Sequence, residues 1–162
     1  MTLELGGKGP QILLEDAVLT KAIPIALASG FANSGQACIA GTRLLVPQSR
    51  LDETLVRLKD HIETLKVGAA TAPGVQIGPM VSQKQWERVQ SYIRLGLDEG
   101  AVPLTGGEGR PDGLERGWFV RPTVFTHVTN QMRIARPVTV EPVKLILATS
   151  GWVLSAAPTT GP

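Results

Sequence analysis

Two hydrophobic periods alternate along this chain, and that alternation limits its fold more than any other feature. Residues 49–65 repeat apolar side chains every three or four positions (Leu51, Leu55, Leu58, Ile62, Leu65), with Arg50, Glu53, Arg57, Lys59 and Asp60 between them. A helix of 3.6 residues per turn gathers the first set on one face and the second on the other. Ahead of it lie two short apolar runs of strand length. Gln11-Ile12-Leu13-Leu14 reads as a buried parallel strand, and Thr42-Arg43-Leu44-Leu45-Val46 as a second one stopped by Pro47. A further helix spans Ser82 to about Glu99, opened by the box-like pair Ser82 and Gln85 and closed by Gly100. Ala101–Thr105 reads as a third strand, and 120–128 as extended chain with Pro122 at an edge or a strand start. Strands alternating with helices specify an α/β fold, a mostly parallel sheet flanked by helices.

The remaining segments fit around this frame. Thr2-Leu3-Glu4-Leu5 is a short strand end halted by Gly6-Gly7. Asp16 is placed to cap a helix over residues 17–31 whose stripe is Val18, Ala22, Ile25, Ala26 and Ser29, and Pro24 predicts a kink or a split in it. Residues 31–41 are rich in small side chains, which permits close backbone approach around Cys38. Residues 67–78 and the glycine-rich 106–117 read as loops. Gly106-Gly107-Glu108-Gly109 matches neither phosphate-binding glycine pattern and reads as a surface turn.

Composition removes several function classes. A net charge of +2 with scattered basic residues gives no support to nucleic-acid binding. No apolar run approaches the roughly 20 residues a membrane span needs. Residues 1–8 include Glu4 and lack a basic region followed by an apolar stretch, so no secretory signal is expected. The single cysteine excludes an internal disulfide framework and suits a reducing, cytoplasmic setting. His61 and His127 together with one cysteine make no ordinary zinc site, so no metal is expected.

What remains is a thiol and a carboxylate in two glycine-marked motifs, Glu4-Leu5-Gly6-Gly7-Lys8 and Asn33-Ser34-Gly35-Gln36-Ala37-Cys38. A thiol can act as a nucleophile once it becomes thiolate, and a carboxylate can take a proton from water and release an acyl group. These motifs and their spacing resemble the aldehyde dehydrogenase superfamily. The resemblance continues through Gly41-Thr42-Arg43-Leu44-Leu45-Val46, Ile77-Gly78-Pro79-Met80-Val81-Ser82, Gly117-Trp118-Phe119-Val120-Arg121-Pro122-Thr123-Val124-Phe125 and Met132-Arg133-Ile134-Ala135-Arg136.

The resemblance implies Cys38 as nucleophile and Glu4 as general base. It implies Leu5 beside the nicotinamide of NAD or NADP, and the Cys38 backbone N–H as one donor to the oxyanion. The expected reaction is NAD(P)-dependent oxidation of a small-molecule aldehyde to a carboxylic acid through a thiohemiacetal and a thioester. Gly6, Gly7 and Gly35 are read as permissive backbone, and Lys8 and Gln36 as structural. Parallel-sheet enzymes place their chemistry at the carboxyl ends of strands, so Cys38 is expected near that edge, within about a nanometre of Glu4.

The resemblance also sets expectations about extent. It implies the thiol-bearing catalytic domain of the aldehyde dehydrogenase fold, over 1–136, as a fragment lacking the Rossmann-type cofactor domain. Pro137-Val138-Thr139-Val140-Glu141-Pro142-Val143 stands where the family has Glu-Glu-Ile-Phe-Gly-Pro-Val, with Val138 replacing the Glu expected to hold the nicotinamide ribose. Residues 137–162 are therefore expected to be a divergent or truncated tail, without the segment through which the family forms homo-oligomers. Two other readings stay open: a non-catalytic remnant acting at most as a binding or assembly module, and a cofactor-independent thiol esterase.

Overall fold

The computed structural model describes residues 2, 7, 9–135 and 143–149. The chain runs as β1 (Pro10–Ile12), α1 (Leu19–Phe31), β2 (Arg43–Pro47), α2 (Leu51–Glu63), α3 (Gln83–Asp98), β3 (Val102–Thr105), β4 (Thr123–Thr126) and β5 (Val143–Thr149). The five strands form one sheet in the order β1-β2-β5-β4-β3. β1 with β2, β2 with β5 and β5 with β4 pair in parallel, and only β3 with β4 is antiparallel. The sheet is mostly parallel, as the alternation of periods requires.

The sheet is covered on both faces. Leu44 and Val46 of β2 and Val124 of β4 pack with Leu19, Ile23 and Leu27 of α1 and Leu58 and Ile62 of α2. Phe125, the next residue of β4, joins a second cluster with Val89 and Ile93 of α3, Val120, Val128 and Ile134. Successive strand side chains point to opposite faces, so the split between Val124 and Phe125 places α1 and α2 on one side and α3 on the other. All four residues of β4 are buried, which is how a strand covered on both faces reads.

α3 follows its sequence signals closely. The Ser82 hydroxyl accepts the Gln85 N–H at 3.2 Å, satisfying one of the free amides of the first turn, and Gly100 leaves the helix at φ 85°. Gly96, inside the same helix, has a packing reason: a β-carbon there would meet the Phe125 ring at 2.9 Å.

α1 departs from expectation in three ways. It begins at Leu19 after an extended Val18 that supplies no side-chain cap, so Asp16 lies too early to bond its first amides. Pro24 neither splits it nor ends it. The missing N–H would have bonded the carbonyl of Thr20, an exposed residue, while Leu19 and Ile23 before Pro24 and Leu27 after it pack in one cluster. Finally, the buried face is Leu19, Ile23, Ala26, Leu27, Gly30 and Phe31, whereas Ile25 is 67% exposed and Val18 58%. Apolar residues surround nearly the whole helix, so its period left the face undetermined, and packing on α2 and the sheet selected it.

β5 lies beyond residue 136, where the family resemblance was expected to give way to a tail, yet it is the middle strand of the sheet. The expected strand end at residues 2–5 lies outside the described residues, apart from Thr2. The glycine-rich 106–117 segment is a loop, but a tethered one. Arg94 pairs with Glu108 at 2.7 Å, Gly109 N–H donates to the Gln90 side chain at 2.7 Å, and the Arg110 guanidinium lies 4.4 Å from the Trp86 ring centre.

Two outcomes are expected. Gly96→Ala should lower stability by roughly 1–3 kcal/mol, because fully buried Phe125 has no room to retreat, and Leu58→Ala by about 2–5 kcal/mol; a wild-type denaturation midpoint for Gly96→Ala would contradict the packing. Glu99 binds Arg133 Nε at 2.8 Å and the Ile134 N–H at 3.4 Å. Burial alone would raise its pKa, but the Arg133 guanidinium and the N–H donors outweigh it and hold the carboxyl below its ordinary value. Because folding lowers this pKa, its stabilisation is present above the ordinary carboxylate range and is lost as acid protonates the group. Melts of wild type and Glu99→Gln should therefore differ near neutral pH and converge on acidification.

Candidate active site

The parallel pairing of β1 and β2 aligns Pro10 with Arg43, and the intervening chain must cross the sheet and come back to the starting edge. α1 makes the crossing and the segment 32–42 makes the return. Cys38 sits on that return, in the turn closed by the Ala40 N–H donating to the Ala37 carbonyl at 3.0 Å. Its thiol is exposed. Ala40 then packs against Gly9, whose carbonyl accepts the Arg43 N–H. The turn expected for Cys38 is present, but at the amino-terminal edge of β1 and β2 and not the carboxyl edge. The cause is topological: a residue on the return leg of a parallel crossover is delivered where the next strand starts.

The backbone before Cys38 is unusual. Asn33, Ser34 and Gly35 have φ of 49°, 57° and 73° in succession, the left-handed region that costs an L-residue roughly 1–2 kcal/mol. Gly35 occupies it without strain, in line with its reading as permissive backbone. The other two are held by hydrogen bonds. The Ser34 hydroxyl donates to the Gly78 carbonyl at 2.9 Å. The Gln36 side chain donates to the Asn33 carbonyl at 3.2 Å and accepts the Val81 N–H at 3.1 Å. Gln36 is therefore structural here, as expected. At the end of the return, the Gly41 N–H donates to the Ser29 hydroxyl at 3.3 Å.

A cleft of about 600 Å³ lies between these two segments, walled by Asn33, Ser34 and Gln36 on one side and Gly78, Pro79, Met80 and Val81 on the other, with Ala70 and Gln76. Its volume is in the range of small-molecule sites. The lining carries no charged side chain; its polar groups are amides and one hydroxyl. Among the described residues no glycine-rich strand-to-helix turn offers a cradle for a pyrophosphate.

Of the residues singled out in the sequence, Gln36 lines this cleft, and Cys38 follows two positions later without lining it. Glu4 and Leu5 lie outside the described residues. Among the described residues, the first residues of β1 and β2, Pro10 and Arg43, are register partners. Sequence reasoning missed Ser34 and the Gly78–Val81 wall. The signal was the Ile77–Ser82 motif, whose contact with residues 33–36 spans more than forty positions.

The model of the aldehyde dehydrogenase family matches residues 1–151. The chain belongs to that family. A putative aldehyde dehydrogenase of Staphylococcus aureus is 44% identical over 147 residues, covering 91% of this chain and 31% of that protein. Aldehyde dehydrogenase of Mycobacterium tuberculosis, solved with NAD+, is 45% identical with a TM-score of 0.88, covering 92% of this chain and 31% of the other. Aldehyde dehydrogenase C of Pseudomonas syringae, a cysteine-to-alanine mutant solved with NAD+ and octanal, is 40% identical with a TM-score of 0.88, over 91% of this chain and 30% of that one. The chain thus spans about 31% of the length of the curated relatives it matches. The family match runs past 136 and through β5. No described helix is long and apolar enough to cross a membrane, and no group of three or more His, Cys, Asp or Glu among the described residues could hold a metal ion.

Exposure of the thiol gives a direct expectation. Iodoacetamide should add once per chain to the native protein without denaturant, and the Cys38→Ser protein should take up none. Labelling only after unfolding would show that the turn hides the sulfur.

Proposed function

We propose that this chain carries the nucleophile-bearing part of an NAD(P)-dependent aldehyde dehydrogenase, with Cys38 as nucleophile, Glu4 as general base and Leu5 against the nicotinamide. The observation that carries the reading is the family match over 1–151 together with the only cysteine, exposed on a turn two positions past Gln36, which lines an uncharged cleft. The relatives solved with NAD+, one of them also with octanal, support the cofactor and substrate class.

The chemistry assigned to this chain begins with the Cys38 thiolate. Its sulfur forms a bond to the aldehyde carbon, and the carbonyl π electrons move onto oxygen. The N–H of Cys38 is one donor for that charge, a role in which loss of a single donor slows turnover by about 10²–10³-fold. NAD(P)+, when bound, supplies the acceptor for the hydride that leaves the same carbon as the thioester forms. Glu4 then takes a proton from water; the hydroxide adds to the thioester carbon, and the sulfur leaves as thiolate. Aldehyde, NAD(P)+ and water are thereby converted to carboxylic acid, NAD(P)H and a proton, with Cys38 regenerated.

The test is a chimera in which residues 1–151 replace the matching segment of a full-length relative, assayed for NADH with octanal. Cys38→Ser should abolish NADH formation. Glu4→Gln should lower steady turnover by about 10²–10⁴-fold while leaving a single-turnover burst, because the base acts after hydride transfer. NADH formation unaffected by Cys38→Ser would remove the reading. A thiol inert to alkylation in the chimera would favour a non-catalytic remnant.

A further inference from the structure

Three successive left-handed residues just before an exposed thiol persist only if their surroundings over-determine them. Here the restraint comes from far along the chain. Ser34, itself buried, donates to the Gly78 carbonyl, and Gln36 accepts the Val81 N–H. The Gln36 amide also turns back to the Asn33 carbonyl, which accepts the Gln36 backbone N–H at 3.1 Å as well. The 78–81 segment that receives both clamps is fixed in turn, since the Met80 N–H donates to the Trp118 carbonyl at 2.9 Å. The Trp118 ring lies 6.2 Å from that of Trp86 on α3. The turn is thus tied, through two neutral side chains, to the packed body of the domain.

We propose that Ser34 and Gln36 are positioning residues for Cys38, fixing where the Ala37–Ala40 turn presents the sulfur. This rests on the reading of Cys38 as nucleophile and deepens it. Both act through the backbone, as neutral groups whose hydrogen bonds go to Gly78, Val81 and Asn33. Their effect falls on geometry, where a displacement of about one ångström can lower a rate 10²-fold. The hydroxyl of Ser34 is the essential part, for its backbone conformation alone would be better served by glycine.

Because Cys38 is the only cysteine, a nitroxide attached to it in the full 162-residue chain reports on this turn alone. Ser34→Ala and Gln36→Ala should sharpen its spectrum, showing faster local motion, while the thermal melt stays cooperative. Gln36→Glu, which keeps an oxygen for the Val81 N–H but loses the donor to the Asn33 carbonyl, should leave the label more mobile than wild type. Ser34→Gly is decisive and also guards against misfolding, since it relieves the backbone while removing the hydroxyl. It should loosen the label as Ser34→Ala does; a label as ordered as in wild type in both Ser34 variants would overturn the proposal. In the chimera, the same Ser34 variants should lower NADH formation roughly 10- to 100-fold while alkylation of Cys38 stays near wild type. A loosened label in a chimera whose NADH formation is indifferent to Cys38 would fault the nucleophile reading and leave the clamp standing. An ordered label with normal cysteine-dependent turnover would do the reverse.

Discussion

The parallel pairing of β1 and β2 is the constraint from which the site follows. Two parallel neighbours are never joined by a tight hairpin, so the chain leaves the carboxyl end of β1, crosses as α1, and returns to the amino end of β2. The return segment has little length in which to reverse direction after a helix. The left-handed stretch from Asn33 to Gly35 accomplishes the reversal, and Cys38 is the exposed product of it. The thiol therefore owes its place to the need for a crossover, and the stretch before it is held by the segment alongside, through Ser34 and Gln36.

That alongside segment, Gly78–Val81, makes the cleft a neutral one. Its wall of amides, backbone and one hydroxyl offers a ligand oriented dipoles in place of a charge. Oriented dipoles require fixed geometry, and the left-handed stretch and its side-chain hydrogen bonds both fall in this part of the molecule. The helices elsewhere show the opposite economy. α2 carries an ordinary exposed ion-pair set, in which Arg50 and Arg57 hold Glu53 at 3.2 and 3.0 Å and lower its pKa.

Much of the frame was legible because local patterns sufficed. The spacing of Leu58 and Ile62, the Ser82–Gln85 cap and the Gly100 stop each act within a few residues, and α2, α3, β2 and β3 lie where those patterns put them. Illegible features depended on distant partners. α1 is apolar almost all round, so only α2 and the sheet could choose between the Ile23 face and the Ile25 face. The 106–117 loop is glycine-rich yet tethered by Gln90, Arg94 and Trp86, residues on another element. The family was readable from motifs, whereas the sheet edge on which Cys38 lies depended on strand order. β5 was hidden for a different reason. Its sequence follows the altered stretch 137–142, where the family motif is lost, although backbone pairing between β2 and β4 asks only for extended chain.

The order β1-β2-β5-β4-β3 also has a consequence for synthesis. The first two strands and the antiparallel pair β3–β4 are complete when the ribosome reaches residue 126, but nothing in the backbone ladder joins them until 143–149 has been made. Until then β2 and β4 each present an open row of N–H and C=O groups, the kind of edge that recruits other chains. The nascent polypeptide must therefore shield two unfinished edges during translation, and its yield in a cell will depend on how promptly that closing strand arrives.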